Sequence, residues 1–530
     1  MLGDIAQNAT VSLIYPPDAG ANANVTVATG LTEPDGTFVI NPGFTPVTNS
    51  IYILEATKRL GSSETHIMTI RTYLKWTGTG WNSMTTPTLL INTTTTALAF
   101  IQDKNVPSVT VASTIGTIDV STGSSVPSAV GSVTAQTITT VSGLVSKIIT
   151  SGRDAFSLIK YSNSKYAIDY SYDLRKLSQT RDCSYCILSG VDISKIDLKN
   201  KSLSFADLSD KDLSNIDLSG VSLVGANLSN TTITSTTNLT NADLSLANFT
   251  GATINNPIIS NAIFNGADFS NATITNTDFS TTPLQSTKFS GTVLNTVNLT
   301  DADISFADLT GANITALPPE NLKDAKLIGV SFSGLNLAGL DFSNKDLTGA
   351  IFTNNGATVT DLTNTIFSNA ILVDANFSGA NLSGTAFNET DLSYATFSST
   401  TILSYSTDFS YANLEFADLS NLNFSGSNFI NALFYAKDMS GYNLSNGNFS
   451  YAVFTGGNLL NATITGSSFS AALIDNVNFA NSTFTGTNFT GATITNSDFS
   501  LAVEDNAIWV NGNIFGTMTC ATGSIGNCNL

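Results

Sequence analysis

Carboxylates recur at multiples of five residues along much of the chain, and they are the side chains whose type and spacing could do chemistry. Paired carboxylates serve in glycosidases, and clustered carboxylates bind calcium. Here the same residue type fills the same position in many copies of a short repeat, so the pattern favours a solvated surface position over a reaction centre. The clearest examples are Asp268, Asp278, Asp303, Asp308, Asp408 and Asp418.

Other candidate catalytic groups are scarce. His66 is the only histidine among 530 residues, so Ser-His-Asp or Cys-His catalysis would depend on it alone. No glycine-rich phosphate loop follows a strand and opens a helix. The sequence therefore predicts no catalytic residue, no cofactor, no metal site and no enzymatic activity.

The four cysteines lie in two close pairs, Cys183 with Cys186 and Cys520 with Cys528. We interpret both pairs as candidate structural disulfides, because each closes a short loop at one end of the repeat region. Such bridges favour an oxidising compartment. Redox or zinc chemistry at Cys183 and Cys186 is disfavoured, since no second pair with ligand spacing and no histidine lies near them in the sequence.

A five-residue repeat from Leu188 to Phe499 must position most of these groups. Most copies read small residue, Asp or Asn, then Leu, Phe or Ile, then Ser or Thr, then Gly, Asn or another outward residue. Residues 206–208 (ADL) and 267–269 (ADF) are clear examples of its first three positions. A period of five fits neither an amphipathic helix nor a half-buried strand, so it indicates a solenoid.

The pattern resembles that of the pentapeptide-repeat family over well more than half of the chain. The resemblance implies a right-handed, four-sided β-helix in which four units make one coil. It also implies that the central Leu, Phe or Ile and the small residue two positions earlier point inward.

Counting the central residues sets the expected register. They run every five from Leu188 to Ile233, from Leu239 to Ile314, from Leu322 to Ile402 and from Phe409 to Phe499. The three breaks add one, three and two residues, each small enough to bulge from a corner. The count predicts about 15 coils at the strand spacing of roughly 4.8 Å.

Residues 20 apart share a face when four units make one coil, and this predicts a stacked column of phenylalanine rings inside the solenoid. Buried aromatic rings each contribute on the order of 1.5–3 kcal/mol, so the column would replace much of a globular core. The predicted members are Phe367, Phe387, Phe409, Phe429, Phe449, Phe469 and Phe489.

Residues 1–105 contain short alternating segments bounded by turn residues, which predicts a β-sandwich domain. Trp76 and Trp81 flank a predicted hairpin turn. Residues 6–11 (AQNATV) and 35–38 (DGTF) resemble the carboxypeptidase-regulatory-like, transthyretin-type sandwich. In that family a further strand precedes the first matching segment, so the resemblance implies an edge open to strand addition from another chain. A smaller sandwich that covers its own edge is the alternative.

Three more segments complete the predicted organisation. Residues 106–186 are expected to form a linker and N-terminal cap, partly helical because residues 135–150 carry apolar side chains at helical spacing. Residues 187–502 form the β-helix, and residues 503–530 form a C-terminal β cap that holds Cys520 and Cys528. The predicted fold class is all-β.

The chain is acidic, with 21 Lys plus Arg against 40 Asp plus Glu, and the imbalance is local. Residues 231–530 contain 22 acidic residues and five basic ones, so no nucleic-acid partner is expected. No apolar run is long enough to insert into a membrane. Residues 1–10 lack a basic and apolar signal region, so the chain is expected to be cytosolic or to be numbered from a processed leader.

Three classes of function are compatible with these observations. The first is an extracellular or cell-surface structural protein that assembles with copies of itself into a filament, sheath or appendage through the N-terminal sandwich. It explains more of the chain than the others do. The second is an acidic DNA-mimicking inhibitor of a DNA-binding enzyme such as a topoisomerase, because some pentapeptide-repeat proteins are acidic rods of that kind. The third is a glycan- or ion-binding surface module.

Overall fold

The structure is a computed structural model, and its backbone divides into two compact units. One unit contains Met1–Asp197 and Ser202–Leu208, and the other contains Leu198–Lys201 and Ser209–Leu530. The structure describes residues 9–14, 26–33, 37–40, 45–59, 67–86, 91, 93–103, 118–119, 129–130, 133–150, 155–162, 165–280, 282–317, 319–398, 400–403, 407–419, 422–503 and 505–510.

The first unit contains a five-stranded antiparallel sheet in the order β2-β1-β3-β4-β5. Trp76 pairs with Trp81 across the β4–β5 turn, which confirms the predicted hairpin. The strands are β1 (Thr10–Ile14), β2 (Thr26–Leu31), β3 (Ile51–Arg59), β4 (Ile67–Trp76) and β5 (Trp81–Ser83).

Apolar side chains are buried on both faces of this sheet. Successive side chains of a strand point to opposite faces, so neighbouring residues can belong to different clusters. Tyr52 and Leu54 on β3 belong to one apolar cluster, whereas Ile53 between them belongs to another. The second cluster contains the buried residues of helices α1 (Thr93–Asp103) and α2 (Ala135–Thr150). The predicted helix over residues 135–150 is confirmed. The predicted sandwich is confirmed as far as one sheet, and the layer that packs on its Ile53 face is helical.

Shorter elements complete the first unit. They are β6 (Thr85–Thr86) paired with β7 (Ile118–Asp119), β8 (Ala129–Val130) paired with β9 (Val133–Thr134), α3 (Ala155–Leu158), β10 (Ile159–Ser162) paired with β11 (Lys165–Ile168), and α4 (Ser171–Gln179).

Helix α4 contacts the residues at the start of the repeat region through a buried side chain. The buried Asp173 carboxylate accepts the Ile187 N–H at 2.9 Å, so it satisfies a backbone donor that would otherwise be buried unpaired. The Sγ atoms of Cys183 and Cys186 are bonded at 2.07 Å. The second predicted pair, Cys520 and Cys528, lies outside the described residues.

The second unit is a β-solenoid of about 13 turns, close to the predicted 15. Parallel bridges join positions 20 residues apart, as in Asp268 to Lys288 and Lys288 to Asp308, so four units make one turn. The regular elements are β12 (Thr232–Ile233), β13 (Thr253–Asn255), β14 (Thr273–Thr275), β15 (Val293–Asn295), β16 (Asn313–Ala316), α5 (Pro319–Asp324), β17 (Leu433–Tyr435), β18 (Val453–Thr455), β19 (Leu473–Asp475) and β20 (Thr493–Thr495).

Most corners that the structure describes turn through a residue with positive φ, two positions after a central residue. Asn271 has φ 58° and Gly291, one turn later, has φ 67°. Glycine and asparagine adopt this left-handed conformation at the lowest steric cost, which explains why they fill the fifth position of so many units.

Phenylalanine rings stack in a column inside the solenoid. Between neighbouring turns, the ring centroids of Phe429 and Phe449 are 5.1 Å apart, and those of Phe449 and Phe469 are 4.8 Å apart. Trp509, whose ring lies 5.0 Å from Phe489, extends the column at its far end. The remaining predicted members stack in the same way, from Phe367 through Phe387 and Phe409 to Phe429, and from Phe469 to Phe489.

The column also extends backwards to Phe342, because one repeat unit is extruded from the solenoid. Phe342 and Phe367 stack at 5.5 Å although 25 positions separate them. Between Phe352 and Leu362 the chain forms a small hairpin closed by Asn355 and Thr358, which exchange backbone hydrogen bonds of 2.9 and 3.0 Å. The count of centres every five residues from Leu322 to Ile402 is therefore wrong at this point.

The first predicted break is confirmed, because bridges across it, such as Asp217 to Asn238, join positions 21 residues apart, but the other two breaks differ from the prediction. At the third break, Ile402 is 47% exposed and bridges to Asn381 from the Asp/Asn position, so the central residue is Leu403. One extra residue precedes the unit centred on Leu403, and one follows it. The second break, at residues 315–321, is a short helix, α5, rather than a simple corner bulge.

Candidate functional site

The outward carboxylates act mainly as backbone caps. The Oδ1 atom of Asp278 accepts the N–H of Ser280 at 3.0 Å, and Asp408 accepts that of Ser410 at the same distance. Such local hydrogen bonds are what Asp and Asn side chains make in turns, and they favour either residue at this position of the unit.

Neighbouring turns link these side chains into ladders. Asn298 donates to Asp278 at 2.9 Å, and Asn428 donates to Asp408 at 2.8 Å. Gln285 donates to Asp303 at 2.9 Å, and Ser290 donates to Asp308 at 2.6 Å. The ladders interleave amides and hydroxyls with the carboxylates, which limits repulsion between like charges.

No catalytic pair emerges among the six aspartates singled out by their spacing. The bridge register places them on three of the four faces, with Asp268, Asp308 and Asp418 on one and Asp278 and Asp408 on another. Asp268 lies 3.9 Å from the ammonium of Lys288. Within the described ranges, no group of three or more His, Cys, Asp and Glu side chains could hold a metal ion. His66 lies outside those ranges.

A cluster of exposed aromatic and aliphatic side chains is the most distinctive feature of the solenoid surface. Bridges join Asn413 to Leu433, Leu433 to Val453 and Val453 to Leu473, which fixes the cluster on one face and its two corners over consecutive turns. We call it the aromatic surface, and its members, each 44–61% exposed, are Tyr394, Tyr411, Phe416, Leu433, Tyr435, Tyr451 and Leu473.

Four members occupy corners where the backbone disfavours them. Tyr394, Tyr411, Phe416 and Tyr451 have φ values of 61°, 59°, 55° and 60°. A left-handed conformation costs a bulky residue roughly 1–2 kcal/mol, and glycine or asparagine would avoid most of that cost. Their rings also remain about half exposed, although Tyr394 and Phe416 stack at 5.0 Å. Exposed corners elsewhere, such as Leu246 and Phe306 with φ values of 60° and 62°, have the same conformation, so what distinguishes these four residues is that they cluster on one face.

The size of the aromatic surface matches that of a protein-binding site. Its seven side chains expose on the order of 700 Å², whereas a standard interface buries roughly 800 Å² on each partner. Its surroundings are acidic, with Asp391, Glu415 and Asp475 on the same face and Glu389 at the preceding corner. The arrangement can bind an apolar surface that is edged by positive charge.

A buried lysine lies next to this surface. Lys437 occupies a position that is normally small and inward, it is 8% exposed, and its ammonium donates to the Ala417 carbonyl at 2.6 Å. Burial lowers its pKa from 10.5 to about 8, while the negative charges of Asp418 and Glu415 act in the opposite direction.

Replacement of Lys437 by methionine should stabilise the protein in a pH-dependent way. Because the pKa of Lys437 is lower in the folded state, the unfolded chain binds more protons between pH 8 and pH 10.5, and the stability of the wild type rises as the pH increases through that window. Below pH 8 Lys437 is charged in both the folded and the unfolded chain, so the wild type bears the full cost of desolvating the charge at pH 7. We expect Lys437→Met to raise the unfolding free energy at pH 7 by up to about 3 kcal/mol, and to raise it little near pH 10.5. Urea unfolding at both pH values measures this, and a gain independent of pH would contradict it.

The five-residue periodicity and the described coils together define a pentapeptide-repeat solenoid, and comparison with family models agrees. One model of pentapeptide repeats (9 copies) matches residues 239–283 and 449–502. A second (8 copies) matches residues 197–234, 212–251, 284–315, 321–354, 360–393, 370–401 and 407–435. Together the two models cover just over half of the chain. The chain therefore belongs to the pentapeptide-repeat family. Three of the four gaps between the matches, at residues 316–320, 355–359 and 402–406, coincide with the α5 insertion, the extruded unit and the displaced break, whereas the fourth, residues 436–448, lies in regular units.

Solved structures of other proteins give weaker likenesses. HetL, a pentapeptide repeat protein involved in heterocyst differentiation regulation from the cyanobacterium Nostoc sp. strain PCC 7120, is 18% identical over 60% of this chain and 92% of its own, with a TM-score of 0.13. Full-length QnrB1, a plasmid-mediated fluoroquinolone resistance protein, is 17% identical over 45% of this chain and 84% of its own, with a TM-score of 0.14. PfbA, a surface adhesin of Streptococcus pneumoniae, is 10% identical over 63% of this chain and 89% of its own, with a TM-score of 0.16. At these TM-scores no functional argument follows. No significant match exists among the curated proteins.

The sequence contains a signal for the aromatic surface that residue types alone did not bring out. Tyr411, Phe416 and Tyr451 stand where most units have Gly or Asn, and Leu433 and Leu473 stand where most have Asp or Asn. Scoring departures from the repeat at outward positions, rather than the repeat itself, would have located it. Among the helices described, none has the length and apolar character needed to cross a bilayer.

Proposed function

We propose that the chain is a structural protein of the cell surface or extracellular space that assembles with copies of itself. The observation that carries this proposal is the aromatic surface, because exposed apolar patches of several hundred Å² on soluble proteins mark interaction sites. The long solenoid supplies a rigid scaffold on which such a surface keeps its shape, since each turn is held by backbone ladders and stacked rings.

Two further features support the location and the mode of assembly. The Cys183–Cys186 bridge agrees with an oxidising compartment, where disulfides persist. Strand β2 lies at the edge of the N-terminal sheet, and Leu31 on it is 61% exposed. As part of the proposal, the N-terminal domain is a transthyretin-type sandwich whose β2 edge accepts a strand from a neighbouring subunit.

Electron microscopy of the purified chain tests the proposal. We expect ordered filaments or sheets as the protein concentration rises. Burial of apolar surface stabilises the contacts between copies, and mass action favours association at higher concentration. The proposal is wrong if only separate particles of one chain appear at the highest concentration that remains soluble.

An acidic DNA mimic is the second candidate, and the 22 acidic residues within 231–530 favour it. The ladders weaken this candidate, because the position one turn after Asp278 and after Asp408 is an amide, Asn298 or Asn428, where a phosphate-like array would place another carboxylate. An assay of DNA supercoiling by gyrase discriminates: inhibition by the purified chain supports mimicry.

Glycan binding is the third candidate. A surface cleft of about 400 Å³ is lined by Pro257, Ile258, Asp278 and Pro283 among others, and it offers both polar atoms and apolar walls. Titration with glycans extracted from cell surfaces tests this candidate, and saturable binding that Asp278→Ala abolishes would support it.

A further inference from the structure

We propose that helix α4 of one copy docks on the aromatic surface of the next copy. This inference rests on the proposed self-assembly and names a second contact between copies, besides the β2 edge. The partner is therefore a second copy of this chain, and the contact joins two different surfaces.

The outward face of α4 combines apolar side chains with a positive charge, and the aromatic surface has no positive charge. Only Asp173 and Leu177 of this nine-residue helix are buried. Tyr172 and Leu174 are 45% and 41% exposed, and the Arg175 guanidinium lies 5.9 Å from the centre of the Tyr172 ring. The helix thus presents an aromatic ring, an aliphatic side chain and a planar cation to solvent.

The charges of the two surfaces are complementary. Residues 147–211, the stretch that contains α4, hold 11 of the 21 Lys and Arg residues against eight Asp, so this stretch is net positive in a chain of net charge −19, and the exposed Arg181 lies two residues beyond the helix. The surroundings of the aromatic surface carry Glu389, Asp391, Glu415 and Asp475. Complementary potentials of this kind steer association and fix its orientation.

The side chains can also pair by type. A guanidinium stacks on aromatic faces and binds carboxylates, so Arg175 suits a site where Phe416 and Tyr435 lie beside Glu415. Tyr172 and Leu174 would bury apolar area against the remaining rings. Because a contact between two different surfaces leaves one of each free on every pair, it permits further copies to add.

Contact between two aromatic surfaces is the alternative within self-assembly. It would bring the acidic surroundings of both copies together, including two copies of Glu415, and close like charges disfavour an interface. No Lys or Arg stands on this face between Asp391 and Asp475 to offset that repulsion. Docking of α4 avoids this cost.

A charge-reversal experiment on the full chain tests the docking. We expect Arg175→Glu alone and Glu415→Lys alone each to weaken assembly at least tenfold, measured as the concentration at which assemblies form. Mixing the two variants in equal amounts should restore assembly close to the wild-type concentration. In the mixture each altered helix meets an altered surface, and each unaltered helix meets an unaltered one.

Matched controls are Lys165→Glu, an exposed base on β11, and Asp301→Lys, an exposed corner acid outside the aromatic surface. Neither should change assembly. If the wild type assembles but the mixture of variants does not regain assembly, the docking of α4 is wrong while self-assembly stands. If the wild type remains a monomer, the proposed function itself fails. Loss of assembly in the controls as well would show a general charge effect and overturn the docking.

Discussion

Replacement of Phe449 by aspartate should divide the unfolding of the solenoid into two transitions. The Phe449 ring is fully buried between those of Phe429 and Phe469, with centroid distances of 5.1 and 4.8 Å. Removing such a ring costs about 3–5 kcal/mol, and burying a carboxylate in its place adds several more. Because each turn contacts only its neighbours, the damage breaks cooperativity at that turn. Differential scanning calorimetry with limited proteolysis would locate the boundary.

Phe416→Asp is the matched control for this prediction. Phe416 has the same side chain but is 49% exposed at a corner, so the same substitution should change the melting temperature little. Unchanged melting of Phe449→Asp would show that the proposed ring column does not exist.

Deletion of residues 355–359 should leave the solenoid folded, with the melting temperature within a few degrees of wild type. These residues form the extruded hairpin, and the chain on either side of it is already close. The Thr360 hydroxyl donates to the Thr353 carbonyl at 2.5 Å. Joining Asn354 to Thr360 creates a regular unit, in which Asn354 takes the corner and Thr360 the small inward position. Circular dichroism melting measures the outcome.

Deletion of residues 376–380 is the matched control, because it removes five residues that belong to the stacked register. It eliminates Phe377, whose ring stacks on Phe352 at 4.9 Å and on Phe397 at 5.3 Å, and it shifts every later unit by one face. We expect a much lower melting temperature. Equal effects of the two deletions would contradict the register described here.

Much of the solenoid was predictable because its rule is local. A large residue every five positions, with a small one two places before it, fixes which side chains point inward, and four units per turn then align Phe409 with Phe429 and Phe449. The helix over residues 135–150 was predictable for the same reason, since its apolar spacing is a property of that segment alone.

The exceptions were not predictable from periodicity, because a count of five cannot distinguish an aligned unit from an extruded one. Ala357 satisfies the count, yet it lies exposed in the hairpin, since a methyl group fills too little of the interior to replace Leu or Phe. Ile402 and Leu403 are both large and apolar, and only pairing with Asn381 selects Leu403 as the central residue. The helical layer on the N-terminal sheet likewise depends on contacts between distant segments.

The aromatic surface was missed for a different reason. The repeat draws attention to inward residues, whereas function on a solenoid falls to outward residues that depart from it. Tyr411 and Phe416 are such departures, and each holds a backbone conformation that asparagine would adopt at lower cost. The proposed self-assembly would give these aromatic rings a role in binding.

Sedimentation velocity over a range of concentrations tests the central claim, that the aromatic surface joins copies of this chain. The comparison is between the wild type and the double variant Tyr411→Asn with Phe416→Asn, which restores the usual corner residue and should melt at or above the wild-type temperature. Leu246→Asn with Phe306→Asn, at exposed corners elsewhere, is the control. We expect assemblies that grow with concentration for the wild type and the control, and much weaker assembly for the double variant, which keeps only the β2 edge as a contact between copies. Assembly of the double variant at wild-type concentrations would contradict the claim.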